Sequence, residues 1–220
     1  MSNIRIDIEK NLKAAHSCKI LRFRVVRTII HFLLLLFSIQ QANAAIIIGN
    51  PQGSVTLSFV YGYQCIHCHY MFPMIKKLIV ENPDLCVKLY PVAALNKNSL
   101  IEATAAIAAT RIPGKFQELT DLLMHQPPLQ KPDIDALLHR IGLDSKDFLR
   151  STHERWVSLQ IFAGLKIMRQ VHAAIVPVIL IGKSDTALVE QTVLIDQQSY
   201  KILSEKLREV AGENNHAQGA

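Results

Sequence analysis

The chain has 220 residues, half of them hydrophobic, with a formal charge of +6. That length holds one domain, or one domain with an inserted subdomain, and the composition supplies a sizeable core. Seven of the 24 Lys and Arg, but only two of the 18 Asp and Glu, fall in residues 1–44. The remainder is nearly neutral, so the charge gives no ground for nucleic-acid binding.

Residues 1–44 read as a secretory signal. Arg22, Arg24 and Arg27 lead into the apolar run TIIHFLLLLFSI, and Ala42-Asn43-Ala44 forms an A-x-A cleavage site. A spanning helix needs roughly 20 apolar residues, and this run is shorter, which argues against an uncleaved anchor. Cleavage after Ala44 is expected, with the mature chain working in the bacterial periplasm, an oxidising compartment. Cys18 leaves with the leader, so Cys65, Cys68 and Cys86 remain.

The segment 54–63, SVTLSFVYGY, is rich in β-branched and aromatic residues and predicts a buried strand. It runs straight into GYQCIHCHYMFP, where Cys65 and Cys68 stand at C-x-x-C spacing with His67 between them and His69 after them. Apolar residues at Met71, Met74, Ile75, Leu78 and Ile79 have helical spacing, and Pro73 inside that run should kink the helix. DLCVKLYPV, 84–92, predicts a second strand, with Cys86 as a small buried hydrophobe. Amphipathic segments follow at 99–112, 115–125, 132–142, 144–151 and 154–172, with Asp133 and Asp144 where N-cap or first-turn acids belong. The pattern then returns to strands at 174–182, interrupted by Pro177, and 186–195. A helix is expected at 197–212 and a disordered tail at 213–220. The order is β-α-β, a helical insert, then β-β-α. It divides the chain into a signal peptide (1–44), a first fold segment (45–96), the insert (97–172), a second fold segment (173–212) and the tail.

Two exported chemistries fit the cysteine pair, a dithiol/disulfide couple or c-type haem attachment through Cys65, Cys68 and the axial ligand His69. Haem fits poorly with a C-x-x-C that follows an apolar strand, and leaves the C-terminal β-β-α block without a role. Zinc would need ligands beyond Cys65, His67, Cys68 and His69, which cannot all face one tetrahedral ion, and no second C-x-x-C is present. The thiol reading uses more of the chain. A cysteine at a helix start meets unpaired N–H groups and the positive end of the dipole, both of which favour the reactive thiolate. Cys68, one turn later, would be shielded and would resolve a mixed disulfide.

On FVYGYQCIHC, the helical insert and IVPVILIGK, residues 45–212 resemble the DsbA-like thiol:disulfide oxidoreductases of the thioredoxin superfamily. The resemblance implies an α/β thioredoxin fold with an inserted all-helical subdomain and no cofactor or metal. It also implies a cis proline packed against the C-x-x-C, matched here by Pro177, with Val176 before it presenting backbone to an extended substrate. His67 matches the residue the family often has before its second cysteine. The implied function is a periplasmic protein disulfide oxidoreductase that acts on unfolded or reduced exported proteins and is renewed by a DsbB-like membrane reoxidant. An isomerase or reductase, or a non-catalytic binding or chaperone module of the same fold, are the nearest alternatives. Two positions depart from the pattern. Ile66 stands where the best-known motif has proline, and Phe59 where a buried acid is common.

The direction of the chemistry turns on thiolate stability. Thioredoxin and DsbA lie near −270 and −120 mV, a gap of about 7 kcal/mol, and a helix end supplies at most about 2 kcal/mol. Hydrogen bonds to sulfur and a nearby positive charge must supply the rest. No Lys or Arg occurs near the motif before Lys76, so His67 is the expected donor, with His69 second and otherwise expected as a solvated helix residue.

Overall fold

A computed structural model describes residues 45–93, 96–184, 192–195 and 200–212. All belong to one compact unit, Asn43–Ala220. In chain order the elements are β1 (Ile46–Gly49), β2 (Val55–Tyr61), α1 (Ile66–Glu81), β3 (Leu85–Pro91), α2 (Lys97–Ala109), α3 (Lys115–Met124), α4 (Lys131–Arg140), α5 (Lys146–Ser151), α6 (Arg155–Gln170), β4 (Val178–Lys183), β5 (Thr192–Ile195) and α7 (Tyr200–Ala211). The strands form one sheet in the order β1-β3-β2-β4-β5. β2 pairs parallel to β3 and antiparallel to β4, while β1 and β5 pair antiparallel at the two edges. This is the expected β-α-β and β-β-α pair of blocks, with the five helices α2–α6 between them.

The central strand is buried along its whole length, as a strand covered on both faces must be. Successive strand residues point to opposite faces. Leu89 of β3 lines a cavity with Phe72 and Ile79 of α1. Its neighbour Tyr90 lies under Gly164 of α6, where a Cβ would stand 2.5 Å from Val92 Cγ1. The helix α1, which follows the C-x-x-C start, and the insert helix α6 therefore cover opposite faces, and only glycine lets α6 come so close. α7 shares the α1 face, with Lys77 Nζ 4.3 Å from the Tyr200 ring centroid.

Several boundaries differ from the sequence expectation. Ile46–Gly49 forms an unforeseen edge strand, whose four residues are too few to show an alternation by pattern alone. β4 starts at Val178, after Pro177 rather than through it, because proline has no N–H to give the ladder. The fourth insert helix, α5, is capped by Ser145, whose Oγ accepts from the Phe148 N–H at 3.1 Å. Asp144 precedes the cap. Pro73 lies inside α1, which runs unbroken to Glu81. The start of the expected strand 186–195, the start of the helix 197–212, the leader and the tail lie outside the described residues. Among the described residues no helix is long and apolar enough to cross a membrane.

Candidate active site

β2 delivers the chain from the middle of the sheet to the start of α1, and the two cysteines stand at that turn. Cys65 is the N-cap of α1, in extended backbone conformation, and its Sγ accepts from the Cys68 N–H at 3.3 Å. The Cys65 N–H is held by the Gly62 carbonyl and the Cys65 carbonyl accepts from the N–H groups of Cys68 and His69. The sulfur thus sits where the orphan donors of a helix start converge. Cys68 is wholly buried, and Cys65 shows 6 % of its surface. The described cysteines are free thiols.

The two sulfurs are driven in opposite directions. Cys65 is lowered from near 9 to about 6, first by a hydrogen bond from the Cys68 thiol, then by the backbone N–H groups of Cys68 and His67 and by the charge of His67, against the cost of burial. Cys68 is raised far above the ordinary thiol range, first by burial, then by its bond to Cys65 and by the charge there. One sulfur is thiolate at neutral pH and the other keeps its proton. This ordering revises the expectation for His67. Its imidazole acts in the expected direction, but the Cys68 thiol and two backbone donors act more strongly.

His69 is a second correction. It is buried rather than solvated, and its Nε2 stands 2.6 Å from the Tyr63 carbonyl. A carbonyl only accepts, so Nε2 carries the proton in that contact. His69 therefore braces the turn that holds Cys65 from one helical turn away.

Across from the motif, the Val176–Pro177 peptide is cis. The structure brings it to the cysteines, with the Cys65 thiol reaching the Val176 carbonyl at 3.5 Å. That carbonyl is thus not wholly free for a substrate chain, as the sequence reading has it. It is occupied while Cys65 is a thiol, and a thiolate has no proton to give it. Val176 is 6 % exposed, but Ile175 beside it and Ile66 and Tyr70 of α1 are exposed apolar residues.

Phe59, at the position where a buried acid is common, is buried and stacks on Tyr61 with ring centroids 4.8 Å apart. Two polar clusters behind the motif were not foreseen. In the first, the Tyr61 hydroxyl meets the Tyr63 hydroxyl at 3.0 Å, which meets Thr120 Oγ1 of α3 at 2.9 Å. Burial raises both tyrosines well above their usual range. The alternation Tyr61-Gly62-Tyr63 carries the signal, since it puts both rings on one side of an extended chain. In the second, Gln64 Nε2 donates to Glu102 Oε1 of α2 at 2.8 Å and to the Leu129 carbonyl at 3.0 Å. Glu102 is buried, and burial raises its carboxyl to about 7, with the Gln64 bond pulling the other way. Its signal is the helical stripe Ser99, Glu102, Ala106, Ala109, a buried face that includes one acid. Cys86 is buried in β3, as its apolar segment predicts.

No protein-family model and no curated protein matches the sequence. Solved structures do resemble the fold. A thioredoxin-like oxidoreductase from Silicibacter pomeroyi aligns with a TM-score of 0.67 at 19% identity, over 76% of this chain and 92% of its own. The thiol-disulfide exchange protein alpha-DsbA2 from Wolbachia pipientis gives 0.64 at 20% identity, over 75% and 86%. The catalytic domain of Proteus mirabilis ScsC gives 0.62 at 19% identity, over 79% and 92%. With a β-α-β and a β-β-α block flanking five helices, and a cis proline beside a C-x-x-C helix start, the chain has the DsbA-like form of the thioredoxin fold.

Proposed function

We propose that this protein is a thiol:disulfide oxidoreductase that donates a disulfide to exported proteins in the periplasm, with Cys65 and Cys68 as the redox pair. One observation carries the reading. Cys65, at the helix start, is lowered to about 6 while Cys68, three residues on, is buried and raised. The structural neighbours named as a thioredoxin-like oxidoreductase and a thiol-disulfide exchange protein support it.

In the oxidised enzyme a substrate thiolate attacks Cys65 Sγ. The Cys65–Cys68 bond breaks, its electron pair goes to Cys68 Sγ, and that sulfur takes up a proton because burial opposes its charge. A second substrate thiolate then attacks the substrate sulfur of the mixed disulfide. Cys65 leaves as the thiolate, which its low pKa makes a good leaving group. The substrate has lost two electrons and the enzyme has gained them, and a DsbB-like membrane oxidant would remove them. Val176 and Pro177 border Cys65 and present backbone to the extended substrate. His67 adds positive charge near the thiolate. Residues 45–96 and 173–212 carry this site, and 97–172 form the insert that meets it at Tyr63 and Gln64.

Haem attachment is disfavoured by geometry. Cys68 has no exposed surface for a porphyrin, and the His69 Nε2 that an axial ligand would use is turned to the Tyr63 carbonyl. An isomerase or reductase would use the same pair, and the potential separates them. The test is equilibration with glutathione buffers. An oxidase should lie well above about −270 mV, toward about −120 mV. A value near the lower figure, or efficient refolding of scrambled ribonuclease, would assign a reductase or isomerase instead. The periplasmic assignment is tested by the N-terminal sequence of the protein recovered from that compartment, expected to begin at Ala45.

A further inference from the structure

Helix α2 buries a face of small residues. Ala103, Ala106 and Ala109 on it have no exposed surface, and Glu102 among them is 1 % exposed. A carboxyl in such a place is costly unless both oxygens find partners. Glu102 Oε1 has Gln64, and Oε2 is buried with no hydrogen-bond partner among the described residues. Alanine would carry no such cost and has the best helix propensity. A side chain that local stability disfavours is a mark of function rather than packing.

What Glu102 holds is the side chain immediately before Cys65. The Gln64 amide divides its two N–H groups between Glu102 on α2 and the Leu129 carbonyl in the α3–α4 connection. Asn98 donates to the same carbonyl at 3.2 Å. Cys65 Sγ is held low first by the Cys68 thiol and then by the backbone N–H groups of His67 and Cys68, the latter 3.3 Å away, so its reactivity depends on how the 63–65 turn is rotated. His69 holds that turn at Tyr63 from the α1 side, and Gln64 holds it from the insert.

We propose that Glu102 is a positioning residue: through Gln64 it seats the 63–65 turn against the insert and so keeps Cys65 Sγ among the donors at the start of α1. The role has biological meaning only if Cys65 is the exchanging sulfur proposed above, but the thiol's reactivity can be measured without that assumption.

The experiment is the alkylation rate of Cys65 in the reduced full chain by iodoacetamide at pH 6, with the modified site read by mass spectrometry. At that pH about half of Cys65 is thiolate, so an upward shift of one unit slows the reaction about fivefold. Gln64→Ala and Glu102→Ala should each slow it by about that factor. The double variant should be no slower than either alone, because the two residues act in series. Glu102→Gln keeps an oxygen for Gln64 and should stay within about twofold of wild type. Glu102→Ala should not lower the thermal midpoint. An unchanged rate in Gln64→Ala, losses that multiply in the double variant, or a Glu102→Gln as slow as Glu102→Ala would each overturn the proposal. Wild-type protein that fails to oxidise reduced substrates, yet shows these differences, would instead remove the disulfide-donor reading and leave the positioning role in place.

Discussion

The Tyr61–Tyr63–Thr120 hydroxyl chain and the Gln64–Glu102 contact both join the end of β2 to the helices inserted between β3 and β4, the first buried and the second part-buried on its Gln64 side. They differ in how completely they are satisfied. Each hydroxyl of the chain has a hydroxyl neighbour at about 3 Å and none needs to carry charge. The carboxyl of the second has one oxygen without a partner among the described residues, and its ionised form is the one that burial penalises. A satisfied buried network rigidifies its surroundings, and a half-satisfied one is a cost the fold must offset elsewhere. The first cluster therefore belongs to stability and the second to the motif turn, although they leave the strand end only one residue apart.

Tyr63→Phe should break the first cluster with the largest effect. It removes the middle hydroxyl and strands those of Tyr61 and Thr120, at a cost of about 2 kcal/mol in urea unfolding. Cys65 alkylation should stay within about twofold, since the ring and the Tyr63 carbonyl that His69 holds are retained. A matching loss of reactivity would erase the distinction between the clusters.

Glu102→Gln sharpens the comparison through pH. Burial raises the Glu102 carboxyl to about 7. From about pH 4.5 to 7 the folded chain thus keeps a proton that the unfolded chain has released, so stability falls as pH rises through that window. The contribution is fully present below the unfolded pKa and lost above the folded one. Glutamine does not titrate. Relative to wild type it should gain about 1–2 kcal/mol at pH 8, after allowance for solvent screening, and nothing near pH 4.5. Denaturant midpoints at the two pH values measure it, and a pH-independent difference would assign the effect to packing.

His67→Ala comes next. Its charge is the last of the influences named for Cys65, after the Cys68 thiol and the backbone donors. The midpoint of thiolate absorbance near 240 nm should rise from about 6 by less than about one unit, under about 1.4 kcal/mol. A rise to the ordinary thiol value would return His67 to the leading role that the sequence suggests.

That revision shows what a sequence can and cannot carry here. The strand running into Cys65, the helix that follows, the helical insert and the strand restart near Pro177 were legible because each rests on local periodicity or on a residue with a special backbone. The cysteine pair was legible because its spacing is its chemistry. The ranking of donors to Cys65 was not, because two of them are backbone N–H groups that every residue possesses. Glu102 stands 37 positions after Cys65, and its meeting with Gln64 is a product of how α2 packs. Its one local trace, an acid on a buried alanine stripe, marks the residue but not its partner. His69 was misplaced for a related reason, since nothing in the local pattern tells that the helix turns this polar residue back onto its own strand end.

The smallest effect should come from a third link between the same elements. Lys76 of α1 pairs with Asp121 of α3 at 2.9 Å, next to Thr120 in the chain but on the exposed side. Both side chains keep more than two-fifths of their surface in water. Coulomb attraction there is weak, and fixing a lysine side chain costs entropy. Asp121→Asn should lower stability by no more than about 0.5 kcal/mol, and the difference should vanish in 1 M salt, where the Debye length is about 3 Å. Cys65 should titrate unchanged, because the leading influences on its thiol come from Cys68, His67 and burial, not from Asp121 or Lys76. A larger or salt-resistant loss would mean that α3 is held to α1 through its exposed edge. The hydroxyl chain at Thr120, one residue away, would then not be the tie that seats the insert on the motif strand.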